Sequence, residues 1–207
     1  MLFVISLAFC YLIGSIPTSY IFAKALKGID IRQFGSGNAG ATNTYRIVGK
    51  LPGLLVLIID ILKGLICVTL LAKLFLRLGV AVEPASYGMM LGFTAIAGHI
   101  WSVFLGFKGG KGVATSAGVF IGVAPDVFLW GLLVWAAFFA WKRFVSLASI
   151  ATAVAVPVIF SILSRPISYV IFSSLVCAIT VYKHYPNIKR LVRGEEKRIS
   201  FGKDNKA

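Results

Sequence analysis

Uncharged apolar runs, long enough to cross a bilayer, alternate along this chain with short polar stretches. A spanning helix needs about 20 mostly apolar residues. Residues 2–23 carry no charge, and 51–72 carry only Asp60 and Lys63. In 84–107 the sole ionisable groups are His99 and Tyr87; in 112–141 Asp126 is the only charge; 144–164 and 166–182 have none. Six spans result from a literal reading. A first helix followed, not preceded, by Lys24 and Lys27 runs from outside to inside, and six spans would then leave the tail outside. That tail carries Lys183, Lys189, Arg190, Arg193, Lys197, Arg198, Lys203 and Lys206, which conflicts with the positive-inside rule. Splitting 112–141 at Ala124-Pro125-Asp126, where a proline and a capping acid coincide, restores agreement. Only Lys73, Arg77 and Arg165 then face outward and Lys63 lies within a span, with every other Lys and Arg inside. The expectation is an all-α polytopic membrane protein of about seven segments, N-terminus outside and C-terminus cytoplasmic. Residues 1–207 form a single membrane-integral domain in this reading, with a basic tail from about 183. The halves 112–124 and 127–141 are short, so one of them is expected to be re-entrant or buried among the others.

Composition agrees with this pattern. Of the 207 residues, 58% are hydrophobic and 14% charged, and the mean hydropathy is +0.90. A signal peptide is the competing account of residues 1–25, with Ala23-Lys24-Ala25 as a cleavage site, but no basic residue precedes the apolar run. The net charge of +14 would suit nucleic acid, yet the apolar bulk leaves no soluble surface to bind it; anionic headgroups or substrates fit better. Cys10, Cys67 and Cys177 sit inside apolar runs without metal or redox spacing. No Asp, Glu, His and Cys cluster has ligand spacing, so no metal is expected.

The chemistry collects on the cytoplasmic side. The first loop reads GSGNAGATNTYR from Gly35 to Arg46, and the second GFKGGKGVAT from Gly106 to Thr115. GSGNAG matches the dinucleotide fingerprint G-x-G-x-x-G, with Asp60 at the spacing of its ribose acid. That fingerprint must follow a strand and open a helix, whereas this one follows a membrane span, and Asp60 lies in another. GFKGGKG also fails as a Walker A loop, because Leu105 and Gly112 stand where glycine and Ser/Thr are required. The positive-inside rule explains the lysines but not Gly35, Gly37, Gly40, Gly106, Gly109, Gly110 and Gly112. Glycine permits backbone nests and close approach of an anion, and a helix N-terminus helps to hold it. A phosphate or other oxyanion is therefore expected at each loop. Arg46 would chelate it, with Ser36, Thr42 and Asn43 donating beside Asn38; Lys108, Lys111 and Thr115 would serve the second loop. His99, an ionisable group inside a span, is a catalytic residue or else a helix-capping or loop-orienting one, and is grouped with the phosphate-binding residues. His184, three residues before Asn187, is a general base or a phosphate donor. Neither histidine begins the His-x-x-x-x-Asp dyad of soluble acyltransferases. Asp60 and Lys63, on one face of the second span, read as a mutually neutralising pair that ties helices together.

GSGNAGATNTYR, GHIWSVFLGFKGGKGVAT, FVSLASI and KHYPNIKRLVRGEE, in this order over nearly the whole chain, resemble the bacterial acyl-phosphate:glycerol-3-phosphate acyltransferases. The resemblance implies an inner-membrane enzyme with its active site facing the cytoplasm. It would move a fatty acyl group from acyl phosphate to the 1-hydroxyl of glycerol 3-phosphate, without a cofactor and without acyl-CoA or acyl-carrier protein as donor. It also implies that Ser36, Arg46, Lys108, Ser146, His184 and Asn187 act on the substrates, and that Gly40–Thr42 and Gly109–Gly112 cup a phosphate. A membrane transporter of phosphate or an organophosphate is the alternative.

Overall fold

The computed structural model describes residues 1–199; Lys203 and Lys206 of the tail lie outside the described residues. Eleven α-helices run through them: α1 Leu2–Ser15, α2 Thr18–Lys27, α3 Ala41–Ile47, α4 Lys50–Ile66, α5 Ala72–Arg77, α6 Pro84–Ile100, α7 Val113–Val123, α8 Pro125–Lys142, α9 Val145–Ile162, α10 Ile167–Lys183 and α11 Tyr185–Val192. No strand occurs among the described residues. The chain divides into two compact units, Met1–Pro125 and a second that begins at Asp126.

Among the described residues, four helical stretches are long and apolar enough to cross a membrane: Leu2–Lys27, Lys50–Arg77, Pro84–Leu105 and Val145–Ile162. A fifth is gained if α10 and α11, bent by 57° at His184, count as one. The predicted break falls where proline and acid placed it: α7 ends at Val123 and α8 begins at Pro125. The first span is less regular than its hydropathy suggests. It breaks at Ile16-Pro17, because Pro17 offers no N–H to the ladder, and α2 restarts at Thr18. The second span keeps its course through a π-helical turn, Cys67–Leu71, between α4 and α5.

In the first unit α1 packs on α6 and α4 on α7. Both seams are built from small residues, which let backbones approach where lipid supplies no hydrophobic drive. A Cβ placed on Gly98 would come within 2.2 Å of the Tyr11 carbonyl oxygen, and one on Gly118 within 1.8 Å of that of Ile61. Gly118→Val should therefore destabilise the protein by about 3 kcal/mol, at the upper end of overpacking costs. Gly88→Ala, whose Cβ would meet nothing closer than 3.6 Å, is expected to be nearly neutral. Thermal melting in detergent checks both, and equal melting temperatures would contradict the close seam. In the second unit α9 packs on α10, and α11 returns against α9.

Candidate functional site

The first glycine-rich loop is shaped by one asparagine. Asn43, on α3 and almost fully buried, accepts the Ser36 backbone N–H at its Oδ1 (3.0 Å) and donates from Nδ2 to the carbonyls of Ile31 and Phe34. Gly35, at φ +62°, turns in the left-handed region against this amide; a Cβ there would lie 2.3 Å from Asn43 Oδ1. Expected as a phosphate donor, Asn43 instead spends its whole amide on the loop. Its role is corrected to that of a brace. The loop's N–H groups are largely spent as well: Gly37 donates to Phe34 and Gly40 to Asn38. What stays outward is the Ser36 side chain, exposed, with Asn38, Thr42 and Arg46 half-buried.

The second loop is closed on α6. Gly109 N–H donates to the Ile100 carbonyl and Gly110 N–H to that of His99, each at 3.1 Å. These two glycines were expected to point N–H groups at an anion, and the hydrogen bonds to α6 correct that. The donors left at this end are those of the first turn of α7, which have no intrahelical acceptor. Gly112 caps the start of α7, and its φ of +81° lies in the left-handed region that glycine enters at no steric cost. Thr115 is fully buried, and its Oγ1 has no hydrogen-bond partner among the described residues. Lys108 is exposed, and Lys111 is half-buried.

The two loops meet. A Cβ on Gly110 would lie 2.6 Å from the Ala39 carbonyl oxygen, so only glycine allows this contact. Arg32 braces the same junction, donating to the Leu105 carbonyl while pairing with Asp30 at 2.7 Å. The guanidinium beside it holds the Asp30 carboxyl below its ordinary value. The two loops are thus held together through Gly110 against Ala39 and Arg32 on Leu105, with Lys108 and Lys111 on the second and Arg46 on α3 just past the first.

In the second unit the organiser is Glu196. Its Oε1 accepts from Ser146 Oγ and from Asn187 Nδ2, both at 2.7 Å, and its Oε2 accepts from Arg190 Nε at 2.7 Å. Burial opposes the charge, but donation from Ser146, Asn187 and Arg190 outweighs it and holds the carboxyl below its ordinary value. Sequence reasoning gave this residue no role. The only signal was its place in the RGEE run of the tail, where a glycine after α11 turns the chain back. His184 closes α10 with Nδ1 2.8 Å from the Thr180 carbonyl. Nδ1 therefore carries the proton, and Nε2 is the basic nitrogen.

A family model described as glycerol-3-phosphate acyltransferase matches residues 4–194. The chain belongs to the glycerol-3-phosphate acyltransferase family. Members of this acyltransferase family are similar to it from end to end. A glycerol-3-phosphate acyltransferase 2 of Moorella thermoacetica is 43% identical over 198 residues, 96% of this chain and 98% of the relative. A glycerol-3-phosphate acyltransferase of Desulforamulus reducens is 46% identical over 91% of each chain. Among solved structures, the glycerol 3-phosphate form of PlsY (YgiH), an integral membrane glycerol 3-phosphate acyltransferase, aligns at a TM-score of 0.87 and 40% identity, covering 96% of each chain. Its lysophosphatidic acid form aligns at 0.83 and 39%. Both glycine-rich loops and α11 lie inside the span of the family match.

Proposed function

We propose that the protein moves a fatty acyl group from acyl phosphate to the 1-hydroxyl of glycerol 3-phosphate, releasing lysophosphatidic acid and inorganic phosphate. This is the first step of phospholipid synthesis. The observation that carries the reading is the match over 96% of both chains to the glycerol 3-phosphate form of PlsY. The interlocked cationic loops suit it, because both substrates bear phosphate.

The proposed topology has seven membrane segments: α1–α2, α4–α5, α6, α7, α8, α9 and α10, with the N-terminus outside. The loops and tail then face the cytoplasm of a bacterial cell, under its inner membrane. At about 1.5 Å per residue the 11 residues of α7 rise some 16 Å, about half the hydrocarbon thickness. α7 is accordingly assigned as a short crossing buried among the other helices, with Thr115, Ser116, Gly118, Val119 and Phe120 all buried, which keeps the count odd and the tail inside. The acyl chain would lie among the helices.

Ser36, Arg46 and Lys108 in the first unit and Ser146, His184 and Asn187 in the second are the residues assigned to the substrates. Gly37, Asn38, Gly40, Thr42, Gly109, Gly110, Lys111 and Gly112 shape or charge the phosphate sites. Acyl phosphate is an activated mixed anhydride, so no cofactor is needed. The glycerol O1 attacks the acyl carbon and the acyl C–O bond to phosphate breaks. The O1 proton passes to the departing phosphate, while cationic side chains and backbone N–H groups steady the developing charge. His184 Nε2 is the rival base. Ser146 as nucleophile ranks below both, since its hydroxyl already donates to a carboxylate whose lowered pKa makes it a weak base.

Purified protein given acyl phosphate and glycerol 3-phosphate should yield lysophosphatidic acid and phosphate in equal amounts, and acyl-CoA or acyl-carrier protein should not replace the donor. A transporter would form neither product. Among variants, His184→Ala falling to background with glycerol 3-phosphate binding intact would overturn proton transfer to the substrate phosphate.

A further inference from the structure

Two charges are buried in the second span, where solvation offers no support for them. Asp60 is 2% exposed and Lys63 4%. Mutual neutralisation is an incomplete account, since a pair of apolar residues would fill the same space at less cost. The surroundings show what else the carboxylate faces. Lys63 Nζ donates to Asp60 Oδ1 and to the Ile16 carbonyl at the break between α1 and α2, each at 2.6 Å. Thr18 Oγ1, the first residue past that break, donates to the same Oδ1 at 3.0 Å. With Lys63 and Thr18 on it, Asp60 Oδ1 is fixed between α2 and α4.

His99 stands on the far side. Its Nδ1 lies 3.8 Å from Asp60 Oδ1, and its other edge meets the second glycine-rich loop. A Cβ on Gly110 would come within 2.3 Å of His99 Nε2, and one on Gly109 within 2.1 Å of the His99 carbonyl oxygen. The imidazole is thus wedged between a fixed carboxylate and the Gly109-Gly110 turn, whose N–H groups are bonded to the carbonyls of Ile100 and His99. Asp60, Thr18, His99, Gly109 and Gly110 line one small cavity. The spacing of Asp60 after GSGNAG is chance, but the fold carries this residue back to the glycines of the other loop.

We infer that Asp60 is a positioning residue for the second loop: held by Lys63 and Thr18, it orients His99, and His99 seats the Gly109-Gly110 turn. That seat sets where Lys108, Lys111 and the first turn of α7 point. The inference rests on the reading of this loop as a phosphate site, and it makes no claim that Asp60 touches substrate.

The test is steady-state kinetics on purified protein, with melting temperature measured alongside. Asp60→Asn and His99→Ala should each raise KM for glycerol 3-phosphate or for acyl phosphate by about tenfold or more, with kcat changed much less. The double variant should be no worse than His99→Ala alone, because the carboxylate acts through the ring. A purely structural pair would lower the melting temperature and leave both KM values alone. If Asp60→Asn does not fold, Asp60→Asn with Lys63→Met removes both charges together and is read in the same way. Unchanged KM values in the folded variant, or additive losses in the double variant, overturn the inference. Lys108→Ala separates the two levels of argument. If it raises KM and the Asp60 variants do not, only the positioning role fails; if it too leaves both KM values unchanged, the phosphate-site reading fails with it.

Discussion

Glu196→Ala should lower acyl transfer by about 100-fold, since hydrogen bonds to a charged acceptor contribute about 1.5–3 kcal/mol each and 1.4 kcal/mol is tenfold. The carboxylate orders Ser146 and Asn187 on one oxygen and Arg190 on the other. Its removal frees two residues assigned to the substrates and strands a cation at once. Glu196→Gln keeps one carbonyl oxygen for Ser146 and Asn187 and gives up the ion pair, so its loss should be closer to tenfold. Initial rates with acyl phosphate and glycerol 3-phosphate decide this, and wild-type activity in Glu196→Ala would contradict it. The sign of the pH effect follows from the lowered carboxyl. Its folded value lies below its ordinary 4.5, so its contribution to stability is complete above that value and is lost as pH falls through the folded one. Melting temperature should be insensitive to this group near neutrality. Below about pH 4.5 the wild type should lose more stability than Glu196→Gln.

Arg46→Ala should reduce kcat/KM for glycerol 3-phosphate on the order of 100-fold, the usual scale for a lost charge-assisted, bidentate phosphate contact. Arg46→Lys should restore only a small part, because an ammonium cannot reproduce the planar fork. Arg46 is half-buried on α3, beyond the loop that Asn43 braces. A change of less than about twofold in Arg46→Ala would remove this arginine from the phosphate site. Asn43→Ala provides a contrast. It should damage the loop as a whole, lowering melting temperature and activity together, since its amide bonds only backbone.

Sequence reasoning went furthest where the relevant physics is local. Hydropathy and charge bias marked the apolar runs, and Pro125 beside Asp126 marked the boundary between α7 and α8. Glycine content marked both loops as places of close backbone approach, and Gly110 against Ala39 is such a place. It erred over which groups inside those loops are spent. Composition shows that Gly109 and Gly110 have N–H groups; it does not show that the carbonyls of His99 and Ile100 already accept them. Thr115 likewise has a hydroxyl at a helix N-terminus, and composition does not show that it is fully buried. The Pro17 break went unnoticed because hydropathy averages over a proline, although that break presents Ile16 and Thr18 to α4.

The sequence by itself determined that this is an all-helical chain with several membrane-length runs, two glycine-rich cationic loops and the order of motifs that marks the family. Each of those properties resides in residues adjacent or a few positions apart, so chemistry and spacing along the chain suffice to specify them. Only the tertiary structure decided which distant groups satisfy one another. Thr18 meets Asp60 across 42 positions and Ser146 meets Glu196 across 50. Such contacts arise from how helices pack, and a buried donor or carboxylate must find whatever partner that packing brings within 3 Å.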